Sequence, residues 1–200
     1  MSLADEAIAL QRAAGRRILL GITGPPGAGK STLAERLVAE LGDQAVLVPM
    51  DGFHLPQAVL IEQGSRARMG APDTFDVRGY VALLERLRTP AHATAPGFDR
   101  TAEEPVAGAI EIPADAVIIV TEGNYLLGGS GGWEGVRPLL DAVWYVEIDD
   151  DVRLARLVAR HELFGKTHAE AIAWANGPDA ANAVLVASTR ARADRVVAGT

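Results

Sequence analysis

The sequence predicts an α/β fold in which helices cover both faces of a central parallel sheet, a three-layer arrangement. Short apolar runs rich in β-branched residues alternate along the chain with stretches of helical periodicity, as in a parallel sheet joined by helical crossovers. These runs are apolar at nearly every position, as expected of strands buried on both faces. The chain has 200 residues, of which 48% are hydrophobic, and we expect residues 1–200 to form a single domain.

The first three elements are predicted from apolar spacing. Residues 3–15 place leucine, isoleucine and alanine side chains on one side of a helix, and residues 17–23 form an apolar run of strand length that glycines and prolines close. From Lys30, leucines and a valine recur at helical spacing as far as Gly42, which stops the helix. The sequence thus begins helix, strand, helix.

The remaining elements are predicted in the same way. Residues 62–76 form a loop, and Asp76 caps a helix that ends near residue 88. Residues 89–108 are rich in proline, alanine and glycine and are expected to be irregular surface, and residues 128–133 a flexible loop. Near the C-terminus we expect a helix from about residue 149, with acids at its positive end, then two shorter helical pieces. Further strands are predicted at 45–50, 116–123, 142–148 and near 194–199.

Composition excludes several classes of protein. Nineteen lysines and arginines against 26 acids give a net charge of −7, which argues against a general nucleic-acid partner. There is no cysteine, so a disulfide framework and a cysteine-ligated metal are both excluded. No apolar run approaches the roughly 20 residues that span a bilayer, and the N-terminus lacks the features of a secretory signal. We therefore expect a cytoplasmic protein without a membrane partner.

One motif predicts specific chemistry. Gly24, Gly29, Lys30 and Ser31 match the pattern G-x-x-x-x-G-K-[ST] between a predicted strand and a predicted helix. Backbone N–H groups of such a loop surround phosphate oxygens, the lysine reaches the β- and γ-phosphates, and the serine hydroxyl binds Mg²⁺. The residues expected to bind the nucleotide here are Gly24, Gly27, Ala28, Gly29, Lys30, Ser31 and Thr32.

A phosphate-binding loop does not by itself say what happens to the triphosphate. The alternatives are a switch GTPase, a motor or transporter ATPase, a small-molecule kinase and a simple nucleotide-binding module. The sequence has no N-K-x-D tetrad for guanine and no LSGGQ-like transporter signature, and it is short for an assembly motor. The kinase and the binding module remain.

Two carboxylates follow predicted strands. Asp51 lies at the end of the second strand and Glu122 at the end of the third, where ligands bind in parallel α/β sheets. Transfer to an alcohol needs a carboxylate near the acceptor hydroxyl, and Asp51 is the candidate. Glu122 is a candidate to hold Mg²⁺ through water. The alternatives are a turn-forming Asp-Gly pair and an exposed glutamate at a strand end.

The helix after residue 149 carries a basic face. Arg153, Arg156 and Arg160 are spaced at i, i+3 and i+7. We expect Arg153 to pair with neighbouring acids, and Arg156 and Arg160 to belong to a lid over approximately 153–170 that closes on the phosphates. No metal-ligand pattern surrounds the histidines of this region, at 161 and 168, and they are expected to be structural or lid residues.

Several segments together resemble a known superfamily. With the phosphate-binding loop, they occur in the order PMDGFHLP, RMGAPDTFD, PGFDRTAEEPV, TEGNYLL, RLARLVARH and NAVLV. This series resembles the phosphoribulokinase, uridine kinase and bacterial-type pantothenate kinase superfamily. It looks closest to the branch labelled nucleoside/nucleotide kinase-like or fructose-transport-system kinase. The resemblance covers nearly the whole chain from Ile18.

The resemblance implies a P-loop NTPase kinase fold with a short helical lid, and ATP and Mg²⁺ as co-substrates. It implies that Asp51 is the base, that Glu122 is the carboxylate on the metal side, and that Asn182 lies near the adenine. Residues implied to hold a small-molecule acceptor are His54, Arg68, Phe75, Asp99 and Arg100.

The sequence indicates the type of reaction more narrowly than it indicates the substrate. The acceptor segment of uridine kinase is replaced here by GFDRTAEEP, its Arg-Arg-x-x-Arg-Asp lid run is absent, and so is the Ser-His-Leu-Ile-Tyr-Asp segment of pantothenate kinase.

The sequence predicts a kinase that moves the γ-phosphoryl of ATP to a hydroxyl of a nucleoside-, sugar- or pantothenate-like metabolite. The alternative is a nucleotide-binding regulator or slow NTPase without an acceptor. Arg66 and Arg68 would favour an anionic acceptor if they line the pocket. Monomer and homodimer both stay open.

Overall fold

The computed structural model describes residues 2–199 and contains a central five-stranded parallel sheet between two layers of helices. The predicted α/β class is therefore confirmed. None of the helices within residues 2–199 combines the length and the apolar character needed to cross a membrane. The elements, in chain order, are α1 (Leu3–Ala14), β1 (Ile18–Thr23), α2 (Lys30–Leu41), β2 (Ala45–Pro49), α3 (Gln57–Glu62), α4 (Val77–Leu87), β3 (Ala93–Asp99), β4 (Glu104–Ile112), β5 (Ile118–Glu122), β6 (Ala142–Glu147), α5 (Asp150–Leu163), α6 (His168–Asn176), α7 (Pro178–Ala187) and β7 (Arg195–Ala198).

The strand order of the sheet is β2-β5-β1-β6-β7. In the register of β5 with its two neighbours, Glu122 lies opposite Ile22 on one side and Pro49 on the other. The chain segments that follow β1, β2 and β5 therefore all leave the sheet at one edge. This is the edge at which parallel α/β sheets bind ligands.

Two apolar layers sandwich the sheet. All six residues of β1 are buried, and their side chains alternate between the two layers as the pleat requires. Leu19 packs with α4, which contributes Tyr80, while Leu20 packs with α1 and α2, which contribute Ala7 and Leu37. The near-continuous apolar composition of this strand is thus a direct result of its central position.

One prediction about the middle of the chain is wrong. Residues 89–108 are not irregular surface: β3 and β4 form an antiparallel hairpin with a register shift between Ala95 and Gly97. Ala95 and Ile112 are its buried apolar residues, so the clear alternation that predicts a half-buried strand is missing. The expected cap is confirmed, since Asp76 accepts a hydrogen bond of 2.9 Å from the N–H of Gly79.

A buried arginine ties the amino end of β1 to the surrounding loops. Arg17 is only 2% exposed and is hydrogen-bonded entirely to backbone oxygens among the described residues. Its shortest such bonds are 2.7 Å to Ala116 and 2.8 Å to Pro113, and others reach Ala114, Thr89 and Leu87. A cation without a carboxylate partner is acceptable here because carbonyl oxygens satisfy its N–H groups.

Replacing Arg17 with methionine should therefore destabilise the protein. The change leaves several buried carbonyls without donors, and we expect a loss of about 3 kcal/mol in the free energy of unfolding, measured by urea denaturation. Arg16→Met is the matched control, because the Arg16 side chain is 44% exposed and pairs with Asp141 at the surface; it should cost less than about 1 kcal/mol. Equal losses in the two variants would contradict this account.

Candidate active site

The loop between β1 and α2 carries the residues predicted to bind phosphate. Gly27, in this loop, has φ +82°, and a Cβ there would lie 2.8 Å from Cγ of Leu157 and 2.9 Å from the carbonyl oxygen of Arg153. The backbone conformation and the close contact with α5 both require glycine at this position. Helix α5 is therefore packed directly against the phosphate-binding loop.

Lys30 is buried at the start of α2, with 8% of its surface exposed. Its Nζ donates a 3.1 Å hydrogen bond to the carbonyl oxygen of Pro25. Burial lowers the pKa of Lys30 to about 8, although the carboxylates of Glu122 and Asp51 act in the opposite direction. The ammonium thus lies at the base of the loop with much of its hydrogen-bonding capacity unused.

Ser31 and Glu122 meet beside this lysine. The hydroxyl of Ser31 donates a 2.8 Å hydrogen bond to Oε1 of Glu122. Burial first, and the nearby Asp51 second, raise the pKa of Glu122, whereas Lys30 lowers it. A buried carboxylate in this setting gains from a cation that neutralises it.

The Ser31–Glu122 pair fits Mg²⁺. A hydroxyl and a carboxylate are hard oxygen donors, and Mg²⁺ in nucleotide sites commonly takes one or two protein ligands, with phosphate and water completing its shell. Residues 2–199 contain no group of three or more histidines, aspartates or glutamates able to hold a metal ion. The donor set therefore suits an ion that arrives with a nucleotide.

Asp51 lies in the turn that follows β2. Its carboxylate is 28% exposed and accepts a 3.2 Å hydrogen bond from Nη2 of Arg100, at the tip of the β3–β4 hairpin. The carbonyl oxygen of Asp51 lies 2.9 Å from Nδ1 of His54. Since a carbonyl can only accept, Nδ1 carries the proton. Burial lowers the pKa of His54, which favours the neutral ring, and in the neutral ring Nε2 is a hydrogen-bond acceptor.

These groups share one cleft of about 190 Å³. The predicted site residues that line it are Lys30, Ser31, Asp51, His54, Phe75, Arg100, Glu122, Arg160 and Asn182. The ring of His54 forms an aromatic wall with two phenylalanines, at 4.0 Å from the ring centroid of Phe75 and 4.7 Å from that of Phe98. The cleft therefore combines a phosphate-binding floor, a carboxylate and an apolar wall.

Several predicted site residues lie elsewhere. Arg68 is exposed and forms two hydrogen bonds, of 2.7 and 2.8 Å, with Asp73. Asp99 accepts hydrogen bonds from two N–H groups of the hairpin turn. Arg156 is exposed and does not line the cleft. Asn182 does line it, but its amide donates a 3.2 Å hydrogen bond to the carbonyl oxygen of Gly70, in the loop before α4.

The environment of Arg153 differs from the one predicted for it. It does pair with an acid, Asp150, at 2.8 Å, yet the residue is only 5% exposed. Within residues 2–199, Nη1 of Arg153 is buried and has no hydrogen-bond partner. A buried donor without a partner beside a phosphate-binding loop is unusual.

Sequence reasoning missed two carboxylates of the cleft, Asp179 and Glu103, whereas Arg66, which it considered together with Arg68, does line the cleft. Asp179, at the start of α7, is 7% exposed and lies 2.7 Å from Nε2 of His161 on α5. Arg66 pairs with Glu103 of the hairpin tip, and both line the cleft. These partners are far apart in the sequence, so no local motif indicates them.

Comparisons with known proteins give the following matches. A uridine kinase from Clostridium novyi (strain NT) is 32% identical over 72% of this chain and 68% of its own length. A protein named "Putative uridine kinase C227.14", from Schizosaccharomyces pombe, is 32% identical over 91% of this chain and 83% of its own length. A crystal structure described as a "putative fructose transport system kinase", from Silicibacter sp. TM1040, superposes with a TM-score of 0.89 at 36% identity, covering 98% of this chain and 99% of that one.

A family profile matches only the N-terminal part of the chain. Residues 4–50 match the family described as Methylmalonyl Co-A mutase-associated GTPase MeaB. This segment holds α1, β1, the phosphate-binding loop, α2 and β2. The motif in that loop is common to many nucleotide-binding proteins, so the match is consistent with the kinase relatives.

The burial of Lys30 predicts a pH dependence of stability. The pKa of its side chain is 10.5 when unperturbed and about 8 in the folded protein, so between these values the unfolded chain binds more protons and stability rises with pH. We expect this rise in the free energy of unfolding to be on the order of a few kcal/mol at most. It should be missing in Lys30→Met. The measurement is urea denaturation of the unmodified protein and of Lys30→Met from pH 7 to 10.5. The difference between their unfolding free energies across this range gives the contribution of Lys30.

The other lysine of the sequence supplies the control for this experiment. Lys166→Met should behave like the unmodified protein over the same pH range, because Lys166 lies over the ring of Trp174 and not under the loop. If Lys30→Met keeps the full rise, Lys30 is not the group responsible.

Proposed function

This chain belongs to the P-loop kinases of the uridine kinase family and is an enzyme, and we propose that it transfers the γ-phosphoryl group of ATP to a hydroxyl of a small polar metabolite. One observation carries the proposal. Lys30 and Ser31 of the phosphate-binding loop share a single cleft with Asp51, a carboxylate suited to orient an acceptor hydroxyl. A protein that only binds a nucleotide needs Lys30 and Ser31, but it does not need Asp51.

In the proposed mechanism the loop positions the triphosphate. Backbone N–H groups from Gly27 to Ser31 and the N-terminus of α2 surround the phosphate oxygens. Lys30 exchanges its single bond to Pro25 for contacts with the β- and γ-phosphates. Ser31 and Glu122 would hold Mg²⁺, which when bound neutralises phosphate charge. Binding of anions also favours the charged form of the buried Lys30.

Asp51 is the proposed base. As the acceptor oxygen bonds to the γ-phosphorus, the bond from that phosphorus to the β–γ bridging oxygen breaks and ADP leaves. The proton of the acceptor hydroxyl passes to the carboxylate of Asp51. Arg100 pairs with this carboxylate.

We further propose that the segment over approximately 153–170, which holds most of α5 and the start of α6, acts as a lid. Of the two arginines predicted for the lid, Arg160 lines the cleft, and its charge acts on Lys30. An arginine there offsets the charge on the transferred group. Leu163 and Phe164, at the end of α5, are 79% and 50% exposed, which leaves apolar surface available to be covered on closure.

Replacing Asp51 with asparagine tests the chemistry. We expect Asp51→Asn to bind ATP as well as the unmodified protein but to lose about 10²- to 10⁴-fold in transfer rate. ADP release, measured with ATP and Mg²⁺ across nucleosides, sugars and pantothenate-like alcohols, reports the rate, and calorimetry reports nucleotide binding.

A second variant separates binding from catalysis. Lys30→Ala should weaken ATP binding by roughly 2 kcal/mol or more, because it removes a charged hydrogen-bond donor. Full acceptor-dependent activity of Asp51→Asn would disprove the assigned base. ATP binding with no acceptor-dependent ADP release from any compound would favour a regulator or slow NTPase.

A further inference from the structure

Arg160 differs from the other arginines of the cleft in having no acidic partner. Arg66 pairs with Glu103. Arg100 pairs with Asp51. Arg160 is exposed and lines the same cleft, yet none of the described carboxylates lies within salt-bridge distance of it. An arginine among several acids would normally form such a pair, because guanidinium–carboxylate hydrogen bonds are charge-assisted. The acids of the cleft must therefore be engaged by other groups.

Each of the four carboxylates that line the cleft does have a partner other than Arg160. Two of them pair with the arginines just named, and Glu122 accepts the hydrogen bond of Ser31. The fourth, Asp179, lies 2.7 Å from Nε2 of His161. An ionised carboxylate only accepts hydrogen bonds, so Nε2 is the donor.

Asp179 is the carboxylate that Arg160 would otherwise meet. His161 follows Arg160 on α5, and its imidazole already spans the space between α5 and α7. Since an arginine side chain extends further from the backbone than a histidine side chain, Asp179 is the acid most readily reached from position 160. The charges of Arg160 and Asp179 also act on one group, because the first lowers the pKa of Lys30 and the second raises it.

The His161–Asp179 pair is shielded from water. The two side chains are only 14% and 10% exposed. The ring centroid of Trp174, on α6, lies 6.3 Å from that of His161, and Nζ of Lys166 lies 4.8 Å from the centroid of Trp174. A hydrogen bond is stronger in such surroundings, and a buried carboxylate without a partner is costly. His161 therefore holds Asp179 firmly.

On the basis of the kinase function and the lid proposed above, we propose that His161 is a positioning residue, which binds Asp179 and thereby keeps this carboxylate from pairing with Arg160. Arg160 then remains free to offset the negative charge on the phosphoryl group during transfer. His161 acts through Arg160 and does not itself contact the transferred group.

Replacing His161 with leucine tests this role. The change leaves Asp179 without its donor, and we expect Arg160 to pair with it. The value of kcat should then fall about tenfold or more, because Arg160 is withdrawn from the transferred group. The Kd of ATP, measured by calorimetry, should change less than about threefold. The rate is ADP release with ATP, Mg²⁺ and the best acceptor among nucleosides, sugars and pantothenate-like alcohols.

His92→Leu is the matched control for this variant. It removes an exposed imidazole that pairs with Glu111 on the hairpin, and it should leave both kcat and the Kd of ATP unchanged.

A second substitution distinguishes this role from a structural one. In His161→Leu/Asp179→Asn the competing carboxylate is gone and Arg160 is free again, so kcat should return to within about threefold of the unmodified value. Loss of a structural contact predicts no recovery, since the double variant lacks both partners of the pair. In an Arg160→Gln background, His161→Leu should leave kcat unchanged, because the residue through which His161 acts is absent.

These outcomes are distinct from failure of the kinase function. An unchanged kcat in His161→Leu, no recovery in the double variant, or an undiminished effect in the Arg160→Gln background would each overturn the role of His161 and leave the kinase function intact. Urea denaturation establishes that the variants are folded, and if His161→Leu is not, His161→Asn, with a shorter polar side chain, replaces it with the same expectations. If the unmodified protein releases no ADP above the rate without acceptor while ATP still binds, the proposed kinase function fails and the role of His161 fails with it.

Discussion

The parallel register of β1, β2 and β5 is the constraint on which the site depends. Glu122 lies opposite both Ile22 and Pro49. The carboxyl ends of β1, β2 and β5 therefore lie side by side at the same height in the sheet. The register of the strands brings the phosphate-binding loop, the turn with Asp51 and the carboxylate of Glu122 together. A slip of one residue in β5 would turn Glu122 toward the opposite face of the sheet and would end its contact with Ser31.

The hairpin completes the site from outside the sheet. The tip of β3–β4 supplies Arg100 and Glu103, which pair with Asp51 and Arg66. Glu104 adds hydrogen bonds to the N–H of Gln57 at the start of α3. The side of the cleft proposed to bind the acceptor is therefore built from segments far apart in sequence that are joined mainly by charge, whereas the loop between β1 and α2 is one continuous segment.

This difference explains how far the sequence could predict the structure. The sheet and the position of the loop between β1 and α2 depend on local patterns, apolar runs and a glycine-lysine-serine motif, so the sequence predicts both within a few residues. The hairpin was wrongly predicted to be irregular because few of its side chains are buried. The pair of His161 and Asp179, 18 residues apart, has no local motif at all. Arg68 was assigned to the acceptor from resemblance alone, and its pairing with Asp73 could only be seen in three dimensions.

Three cations are buried in the described part of the chain, Arg17, Lys30 and Arg153, and their hydrogen bonding differs with their place in the fold. Arg17, far from the cleft, is bonded to five carbonyl oxygens and has no capacity left for a ligand. Lys30 donates one hydrogen bond, and Arg153 has one nitrogen without a partner within residues 2–199. Desolvating a cation without satisfying it costs free energy. The fold bears this cost beside the phosphate-binding loop, where the oxygens of an incoming nucleotide can remove it.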